Sequence, residues 1–383
     1  MTRLLEPLYI NPHCPEAVLD DLEQAIAGQR TLLPLPGGHE HHDRSRAMLL
    51  RNSQRVGKQI DSDIALVVAT SGSTGTPKGA LLSPSNLVSS ADATHRVLGG
   101  EGNWLLAMPA HHIAGIQVLI RSLIAGVQPL CLDLSQGFDI PEFLRSAQEL
   151  CDSTPGERRY TALTPMQLLK ALDSLSGIEA LRLFDHILIG GAELRTDVRR
   201  SAHNLGINLI STYGSSETSG GCVYDGHPLP GARLKVEAGR IFLGGPMVAH
   251  GYRNHPHHEA FAQPGWFATS DGGVIDSSGT LHVHGRLDAV IDSGGLKLHP
   301  EVVERQILEH PKVSAACIVG VPDPRLGQRI VGAYQGEATP DEVYEHLCEL
   351  PRWQIPKELR RVTQLPLTGP GKIDRQAVAG FFC

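Results

Sequence analysis

The stretch from Ala65 to Leu87 reads ALVVATSGSTGTPKGALLSPSNL, and its residue composition changes twice. A short apolar run leads into TSGSTGTPKG (residues 70–79), and the chain then turns apolar again. Such a run suits a solvated loop, because Gly, Ser, Thr and Pro form turns and linkers. It also suits a phosphate-binding loop, in which small residues let backbone N–H groups converge on an anion. The spacing around Lys78 is not G-x-x-x-x-G-K-[ST], so the loop alone leaves both interpretations open.

The composition restricts the classes of protein to which the chain can belong. A length of 383 residues predicts two or three domains, and 41% hydrophobic with 20% charged residues is typical of a globular enzyme. A net charge of −7 and an aromatic content of 5% disfavour a nucleic-acid partner. The seven cysteines are dispersed without CxxC spacing, which predicts reduced thiols. The beginning of the chain has no secretory pattern, and polar residues interrupt the apolar window 104–132, so we expect a cytoplasmic enzyme without a membrane span.

Apolar runs alternate with helix-like segments as far as residue 230, and this order predicts an α/β domain with binding loops at strand ends. Beyond residue 230 the chain changes to short strands with glycine turns, including a hairpin at 276–279. We predict a large domain over 1–287 and a small one over 288–383. The clearest segments are predicted helices at 116–124, 197–205, 301–309 and 340–350 and predicted strands at 184–189, 208–213 and 315–321.

Eight segments resemble, in the same order, motifs of the acyl-adenylate-forming superfamily of acyl-CoA synthetases, adenylation domains and luciferases. They are TSGSTGTPKG (70–79), PAHHIAG (109–115), GGAEL (190–194), YGSSET (213–218), GPMVAHGY (245–252), TSDGG (269–273), GRLDAVIDSGGLKLHPEVVE (285–304) and PLTGPGKIDR (366–375). One match could arise by chance, but eight in order could not. The resemblance implies ATP and CoA as substrates and Mg²⁺ as the cofactor. It also implies a large multilayer α/β domain with a distorted, barrel-like β part, followed by a small mobile α+β domain.

The resemblance also implies roles for individual residues, and the residue types fit those roles. Glu217 is implied as a catalytic residue and Mg²⁺ ligand, and Mg²⁺ does bind one or two carboxylates together with phosphate oxygens. Asp271 would accept hydrogen bonds from the ribose hydroxyls, although Ser270 stands where the family usually has glycine. A solvent-exposed lysine at position 78 and a surface glutamate at position 217 are the alternatives. The residues implied to bind ATP or AMP are Thr70, Ser71, Gly72, Ser73, Thr74, Gly75, Thr76, Lys78, Gly190, Gly191, Ala192, Tyr213, Gly214, Ser215, Ser216, Asp271 and Arg286.

The end of the chain resembles the mobile part of these enzymes. Lys372 resembles the catalytic lysine that reaches the carboxylate and the α-phosphate during adenylation. Asp288 resembles the hinge about which the small domain rotates between an adenylating and a thioester-forming pose. Gly294 and Gly295 would then face the site and leave room for the pantetheine arm of CoA. Hinges absorb backbone rotation and need not touch substrate.

His112 matches the family's histidine near the acyl pocket and is implied as a catalytic and substrate-binding residue. Arg121 follows on a predicted helix, and a buried arginine in an acyl pocket needs a carboxylate partner. The alternative is that Arg121 faces solvent. The run MPAHHIAGIQVLIRSLIAGV (108–127) resembles the o-succinylbenzoate–CoA ligases of menaquinone biosynthesis, particularly short bacterial forms. Their substrate is an aromatic dicarboxylate, whose succinyl carboxylate would be activated while Arg121 binds the other charge.

The chain departs from the superfamily at its beginning, where only 69 residues precede the glycine loop. We therefore expect part of the usual first subdomain to be missing or reduced, and contacts in a homodimer could compensate. The histidine clusters HEHH (39–42) and HPHH (255–258) lack the Cys/His pairs of structural zinc sites and are interpreted as loop residues. Alternative functions are a CoA ligase for another aryl or acyl acid and a stand-alone adenylation enzyme that loads a carrier protein. A nucleotide-binding protein without catalysis is a third, against which the presence of Lys372 and Glu217 argues.

Overall fold

The structure is a computed structural model that describes residues 1–70, 76–369 and 372–382, without the side chains of Thr368 and Lys372. Two compact units account for the chain. The first comprises 1–235 and 242–268, and the second comprises 236–241 and 269–383. Each unit has its own helices, sheets and hydrophobic clusters, so the units are described one at a time.

The first unit contains two sheets and the helices that cover them. Its strands are β1 (Thr2–Ile10), β2 (Thr31–Pro36), β3 (Gln59–Asp61), β4 (Leu66–Ala69), β5 (Gly79–Leu82), β6 (Asn103–Leu106), β7 (Leu130–Cys131), β8 (Arg159–Leu163), β9 (His186–Ile189), β10 (Leu209–Ser215), β11 (Gly220–Tyr224) and β12 (His227–Pro228). Its helices are α1 (Leu19–Ile26), α2 (His41–Ser53), α3 (Pro84–Val97), α4 (Ile113–Ala125), α5 (Ile140–Ser153), α6 (Pro165–Leu172), α7 (Leu175–Leu181) and α8 (Thr196–Asn204).

The smaller sheet has the strand order β3-β1-β2-β4-β5. Strands β1, β2 and β4 are parallel, whereas β3 and β5 are antiparallel to their neighbours. Strand β2 is buried along its whole length, which explains its continuous apolar sequence TLLPLP. Strand β4 leads directly into the glycine loop, and β5 returns from it, so this sheet supports both ends of the loop.

The larger sheet has the strand order β12-β11-β10-β9-β8-β6-β7. Strands β7, β6, β8, β9 and β10 are parallel, while β11 and β12 continue the sheet in antiparallel pairing. One hydrophobic cluster of this unit lies beside the sheet and includes Phe143, Leu163, Leu168 and Ile187. Burial of these side chains, worth about 1.5–3 kcal/mol each, holds the parallel strands and their helices in register.

Local sequence sets where the helices of this unit begin. Ser83 caps α3 by accepting from the Asn86 backbone N–H, and the Asn86 side chain accepts from the Ser83 N–H. Thr164 and Gln167 form the same reciprocal pair at α6. Both helices have proline in their first turn, where its missing N–H costs no hydrogen bond. These caps place the loops before α3 and α6 without help from distant parts of the chain.

The second unit begins in a region of short strands. Strands β13 (Arg233–Glu237), β14 (Arg240–Gly244) and β15 (Trp266–Ile275) cross the division of the chain, and β15 forms an antiparallel hairpin with β16 (Leu281–Arg286) over Asp271–Ile275. The remaining strands are β17 (Ile291–Ser293), β18 (Leu296–Leu298), β19 (Val313–Asp323), β20 (Gly327–Gly336), β21 (Glu358–Val362), β22 (Leu367–Gly369) and β23 (Lys372–Ile373). The helices are α9 (Pro300–Leu308), α10 (Pro340–His346) and α11 (Arg375–Ala379).

Strands β17 to β21 form one sheet in which β19 and β20 are the long central pair. Hydrophobic clusters lie on both faces of this pair. One includes Val303 and Ile307 of α9, and the other includes Val378 next to Val331. The small unit is therefore an α+β layer with a core of its own.

The predicted fold class, α/β with a small α+β part at the end of the chain, is confirmed by these sheets and helices. Each helix and strand predicted above is present, with ends shifted by a few residues, and the 276–279 hairpin joins β15 to β16. The domain boundary and hinge at Asp288 stay a prediction, because the division by contacts describes compactness and not where the chain rotates. No helix in the described residues is long and apolar enough to cross a membrane.

Candidate active site

Several predicted site residues follow parallel strands of the larger sheet. Because β6, β8, β9 and β10 run in the same direction, the loops after them meet at one edge, where open α/β sheets bind ligands. His112 lies in the loop after β6, Gly190 follows β9, and Glu217 follows β10. The sheet order therefore gathers the predicted acyl-pocket, adenine-side and metal-binding residues at one edge.

The turn after β10 holds the predicted metal ligand. Glu217 is 7% exposed, and its Oε1 accepts a hydrogen bond of 2.5 Å from the Tyr252 hydroxyl. The Glu217 carbonyl accepts from the Ala249 N–H at 2.8 Å. The turn closes where the Ser215 N–H donates to Thr218 Oγ1 at 2.9 Å. Because Oε1 of this buried carboxylate is held by a hydrogen bond, the direction of the other oxygen, Oε2, is fixed as well.

This turn fits a magnesium ion that arrives with a nucleotide. Glu217 Oε2 has no hydrogen bond within the described chain, and the nearby Ser215 hydroxyl is buried without a partner there. Mg²⁺ commonly takes one or two carboxylates and completes its shell with phosphate oxygens and water. Among the described residues no group of three or more His, Cys, Asp or Glu could hold a metal by itself. The donors thus suit a metal that is shared with substrate phosphates.

The adenine-side loop after β9 is shaped by two glycines. A Cβ at Gly190 would lie 2.5 Å from Thr212 Oγ1, and Gly191 has a positive φ of 88°. Both positions therefore exclude ordinary side chains. Ala192 is exposed, so the loop presents little beyond its backbone to a flat ligand.

The end of the glycine loop is held by the segment 250–258, which we call the flanking segment. Backbone hydrogen bonds join Leu81 N–H to Gly251 O at 3.0 Å and Arg253 N–H to Gly79 O at 2.8 Å. The Asn254 side chain accepts from Gly79 N–H and donates to Pro77 O at 2.9 Å. The other end closes where Thr70 N–H donates to Lys78 O at 2.8 Å. The predicted residues Ser71, Gly72, Ser73, Thr74 and Gly75 lie outside the described residues.

Lys78 does not extend freely into solvent. Its Nζ lies 2.9 Å from His258 Nε2 and 5.2 Å from the centroid of the Tyr252 ring. The Tyr252 and His258 rings meet edge to face at 5.0 Å. Tyr252 therefore lies between Lys78 and Glu217, the positive and negative groups predicted to meet the triphosphate and the metal. This arrangement favours the binding interpretation of Lys78 and Glu217 over the surface alternatives.

His112 precedes helix α4 and packs against His111, with ring centroids 4.2 Å apart. Burial and the nearby positive charge of Arg46 lower the pKa of His112 to about 4. Its imidazole is therefore neutral near pH 7. At that pH the ring can offer a neutral hydrogen-bonding face to an acyl group, but no positive charge.

Arg121 is 3% exposed, so the interpretation that it faces solvent is wrong. Its guanidinium lies over Trp104, with Cζ 5.0 Å from the ring, and burial lowers its pKa. In the described part of the chain it has no hydrogen bond or ion pair, and its Nε is buried without a partner. A buried cation supported only by a π face is costly unless an anion joins it.

Gln117 connects the arginine helix to the metal-binding turn. It lies one turn before Arg121 on α4, is fully buried, and donates from Nε2 to Ser219 O at 2.8 Å. Ser219 follows the Glu217 turn in a left-handed conformation, with φ of 54°. The buried Gln117 Oε1 has no partner among the described residues. This link fixes the distance between the two predicted binding groups.

In the second unit, the hairpin of β15 and β16 brings Asp271 opposite Arg286. Arg286 Nε lies 3.8 Å from an Asp271 oxygen and donates to Asp288 Oδ1 at 2.8 Å. The predicted ribose ligand, its neighbouring arginine and the predicted hinge are thus one charged group. Asp271 is too far along the chain from Arg286 and Asp288 for a local sequence pattern to predict this contact.

The other predicted residues of the second unit lie in tight loops. Gly294 and Gly295 have φ of 66° and 83° and form the turn between β17 and β18, which gives a local reason for glycine at both positions. Lys372 begins β23, and its side chain lies outside the described residues. Arg375 anchors the end of this lysine loop, since it binds Glu304 of α9 through two hydrogen bonds and donates to Ile318 O.

Sequence reasoning assigned no role to Tyr252, His258 or Gln117. Tyr252 ends the segment 245–252, and the resemblance of that segment to a family motif could have indicated a role for this residue. His258 belongs to the histidine cluster HPHH, interpreted above only as loop residues, and its lysine partner is 180 residues away. Gln117 carried no signal, because a glutamine within an apolar helix suggests only a buried polar residue.

Gly214 offers a test of the metal-binding turn. A Cβ added there would lie 2.1 Å from Gly220 O and 2.7 Å from Gly221 Cα, both backbone atoms. We expect Gly214→Ala to shift the turn and slow acid-dependent pyrophosphate release by about a hundredfold, since small misplacements of site groups cost that much. Gly380→Ala is the control, because its Cβ would meet nothing within 4 Å. An unchanged rate in Gly214→Ala would contradict this role of the turn.

Known proteins are similar to this chain over most of its length. The family of AMP-binding enzymes matches residues 19–253, and the C-terminal domain of AMP-binding enzymes matches residues 302–372. A probable 2-succinylbenzoate–CoA ligase from Mycobacterium tuberculosis (strain CDC 1551 / Oshkosh) is 44% identical over 95% of both chains. The 2-succinylbenzoate–CoA ligase of Enterococcus faecalis (strain ATCC 700802 / V583) is 30% identical over 81% of this chain and 68% of its own.

The fold is also found among solved structures. The o-succinylbenzoate CoA synthetase from Bacillus subtilis, solved with its acyl-adenylate intermediate, superimposes with a TM-score of 0.82. The match covers 97% of this chain and 87% of the other, at 22% identity. With both matched domains, the ordered motifs and the loops gathered at one sheet edge, the chain belongs to the AMP-binding enzyme family and is an AMP-forming acid–thiol ligase.

Proposed function

We propose that this ligase joins o-succinylbenzoate to CoA through an acyl-adenylate, in menaquinone biosynthesis. The overall reaction converts o-succinylbenzoate, ATP and CoA to o-succinylbenzoyl-CoA, AMP and diphosphate. The 44% identity with a probable 2-succinylbenzoate–CoA ligase over nearly the full length of both chains carries this proposal. Arg121 supports it, because it is buried and has no anionic partner among the described residues, and the second carboxylate of this acid would supply one.

In the first half-reaction a carboxylate oxygen of the acid attacks the α-phosphorus of ATP, and diphosphate leaves. Negative charge moves onto the leaving diphosphate, so cations and N–H donors aimed at its oxygens lower the barrier. Lys78 and the glycine loop would hold the β- and γ-phosphates. The Ser216 hydroxyl would contact the α-phosphate, and Ser215 would also contact the nucleotide. Bound Mg²⁺, held by Glu217, would supply positive charge to the phosphate oxygens.

The remaining roles belong to binding and to the second half-reaction. Asp271 and Arg286 would hold the ribose, and Gly190, Gly191, Ala192 and Tyr213 would surround the adenine. Lys372 would reach the carboxylate and α-phosphate during adenylation and leave when the small domain rotates about Asp288. The CoA thiol then attacks the acyl carbon past Gly294 and Gly295, and AMP leaves.

The substrate assignment is tested by offering a panel of acids to the purified protein with MgATP, with and without CoA. We expect o-succinylbenzoate to give the fastest diphosphate release and a CoA thioester. Faster reaction with a monocarboxylic aryl acid would favour the ligase for another acid. Release without thioester formation would favour a carrier-loading enzyme, and no release with any acid would contradict catalysis altogether.

The role of Arg121 can be tested against the substrate's own carboxylate. We expect Arg121→Leu to raise KM for o-succinylbenzoate by about 10- to 100-fold, the range for a lost hydrogen bond to a charged group, with little change in KM for ATP. An analogue that lacks the ring carboxylate should bind both enzymes alike.

Arg121→Lys serves as the matched control, because it keeps the charge but not the planar guanidinium over Trp104. The melting temperature of Arg121→Leu should not fall much, since the substitution removes a buried cation that has no ion pair within residues 1–70, 76–369 and 372–382. If Arg121→Leu raised KM equally for o-succinylbenzoate and for the analogue without the ring carboxylate, the assignment of Arg121 to that carboxylate would be contradicted.

A further inference from the structure

The flanking segment carries a histidine that no motif accounts for. Its backbone pairs with residues 79–81, and this pairing places His258 beside the side chain of Lys78. His258 Nε2 and Lys78 Nζ are 2.9 Å apart. The contact is thus fixed by main-chain hydrogen bonds on both sides and does not depend on two flexible side chains meeting by chance.

The contact with His258 is the main interaction that holds the Lys78 side chain in place. Within the described chain Lys78 has no carboxylate partner, and its second contact is the face of Tyr252 at 5.2 Å. A lysine paired with a carboxylate would have to break that pair before it could bind a phosphate. Held by a neutral imidazole and a π face, the ammonium keeps its full charge available for an anion.

His258 is itself held in place. Its Nδ1 lies 3.1 Å from the Ala260 backbone nitrogen, and its ring packs edge-on against Tyr252. The Lys78 ammonium can only donate, so Nε2 accepts from it and the proton of the neutral ring is on Nδ1.

The contact with Nε2 is replaced when an anion binds the ammonium. Tyr252 lies under Lys78 and donates to Glu217, so a movement of Lys78 toward a ligand near Glu217 is short. Burial and the charge of Lys78 lower the pKa of His258, which keeps the ring neutral near pH 7 and prevents a second repelling cation.

We propose that His258 is a positioning residue for Lys78, which holds the lysine at the end of the glycine loop and releases it to the β- and γ-phosphates of ATP. This inference rests on the proposed placement of the triphosphate at residues 70–79. It assigns to one histidine of the HPHH cluster a function in nucleotide binding that concerns no metal.

The proposal is tested by kinetics of the full-length enzyme with MgATP. We expect His258→Ala to raise KM for MgATP by about three- to tenfold, the effect of one ordinary hydrogen bond, with KM for the acid unchanged. Thioester formation from supplied acyl-adenylate should also be unchanged, because that half-reaction involves no triphosphate. His258→Gln should restore much of the affinity, since Gln Oε1 can accept from Lys78 where Nε2 did.

His257→Ala is the matched control, because His257 is the exposed neighbour in the same segment. The decisive comparison is His258→Ala in a Lys78→Ala background, where the proposal expects no further rise in KM. A full additional rise there would overturn the positioning role even if His258→Ala alone is less stable. An unchanged KM in Lys78→Ala would instead overturn the placement of the triphosphate, so the two failures are distinguishable.

Discussion

Lys372→Ala is expected to slow adenylation by about a hundred- to a thousandfold while thioester formation from supplied acyl-adenylate stays near the wild-type rate. The loss of one charge aimed at the developing negative charge of a transition state typically costs this much. The lysine loop is anchored independently of the lysine, because Asp374 N–H donates to Pro366 O and Arg375 binds Glu304. The substitution should therefore remove a charge without unfolding the loop.

The measurement is acid-dependent exchange of labelled diphosphate into ATP for the first half-reaction, and CoA thioester formation from synthetic acyl-adenylate for the second. Lys357→Ala is a suitable control, since Lys357 is an exposed lysine of the same unit with no predicted role. Equal losses in both half-reactions would contradict the two-pose mechanism that the hinge at Asp288 is predicted to serve.

Glu304→Gln is expected to destabilise the second unit by about 3 kcal/mol, because it leaves the Arg375 guanidinium without its main partner. Glu304 is 12% exposed, and its oxygens lie 2.5 and 2.9 Å from the two terminal nitrogens of Arg375. Glu301 Oε1, at 3.4 Å from Arg375 Nη2, makes only one longer contact in place of the two that Glu304 makes. The expected loss is measured by chemical denaturation followed by a signal from Trp353, which packs against the core of this unit.

The same ion pair joins three elements, since Glu304 Oε1 also accepts from Ile318 N–H at 2.7 Å. Replacing both partners together, Glu304→Met with Arg375→Met, should recover part of the stability, because the two paired charges leave together while Ile318 N–H and Glu301 each lose a contact. Adenylation should stay slow in this double variant if the pair also holds the lysine loop. Glu309→Gln, an exposed change just after α9, is the control, and a loss there as large as in Glu304→Gln would contradict the argument.

Local patterns predicted most of the architecture. Alternating apolar runs, proline at helix starts and glycine turns are properties of adjacent residues, and the helices and strands they predicted are present with small shifts at their ends. The order of the motifs was sufficient to predict the family, and the matched domains confirm that prediction. The alternation of strands and helices also predicted loops at strand ends, because parallel strands need crossover connections that bring their carboxyl ends to one edge.

Contacts between residues that lie far apart in the chain could not be predicted from local patterns. Whether Arg121 faced solvent or the interior was open, because its helix is apolar enough for either, and the packing of α4 on Trp104 decided it. The contact of Glu217 with Tyr252 and that of Lys78 with His258 join positions 35 and 180 residues apart. Periodicity and capping act over a few residues, whereas these contacts exist because the flanking segment pairs with β5 beside the glycine loop. The sequence by itself therefore determined the family, the secondary structure and the candidate residues, and the tertiary structure decided which of them face one another, since only strand pairing brings distant side chains within bonding distance.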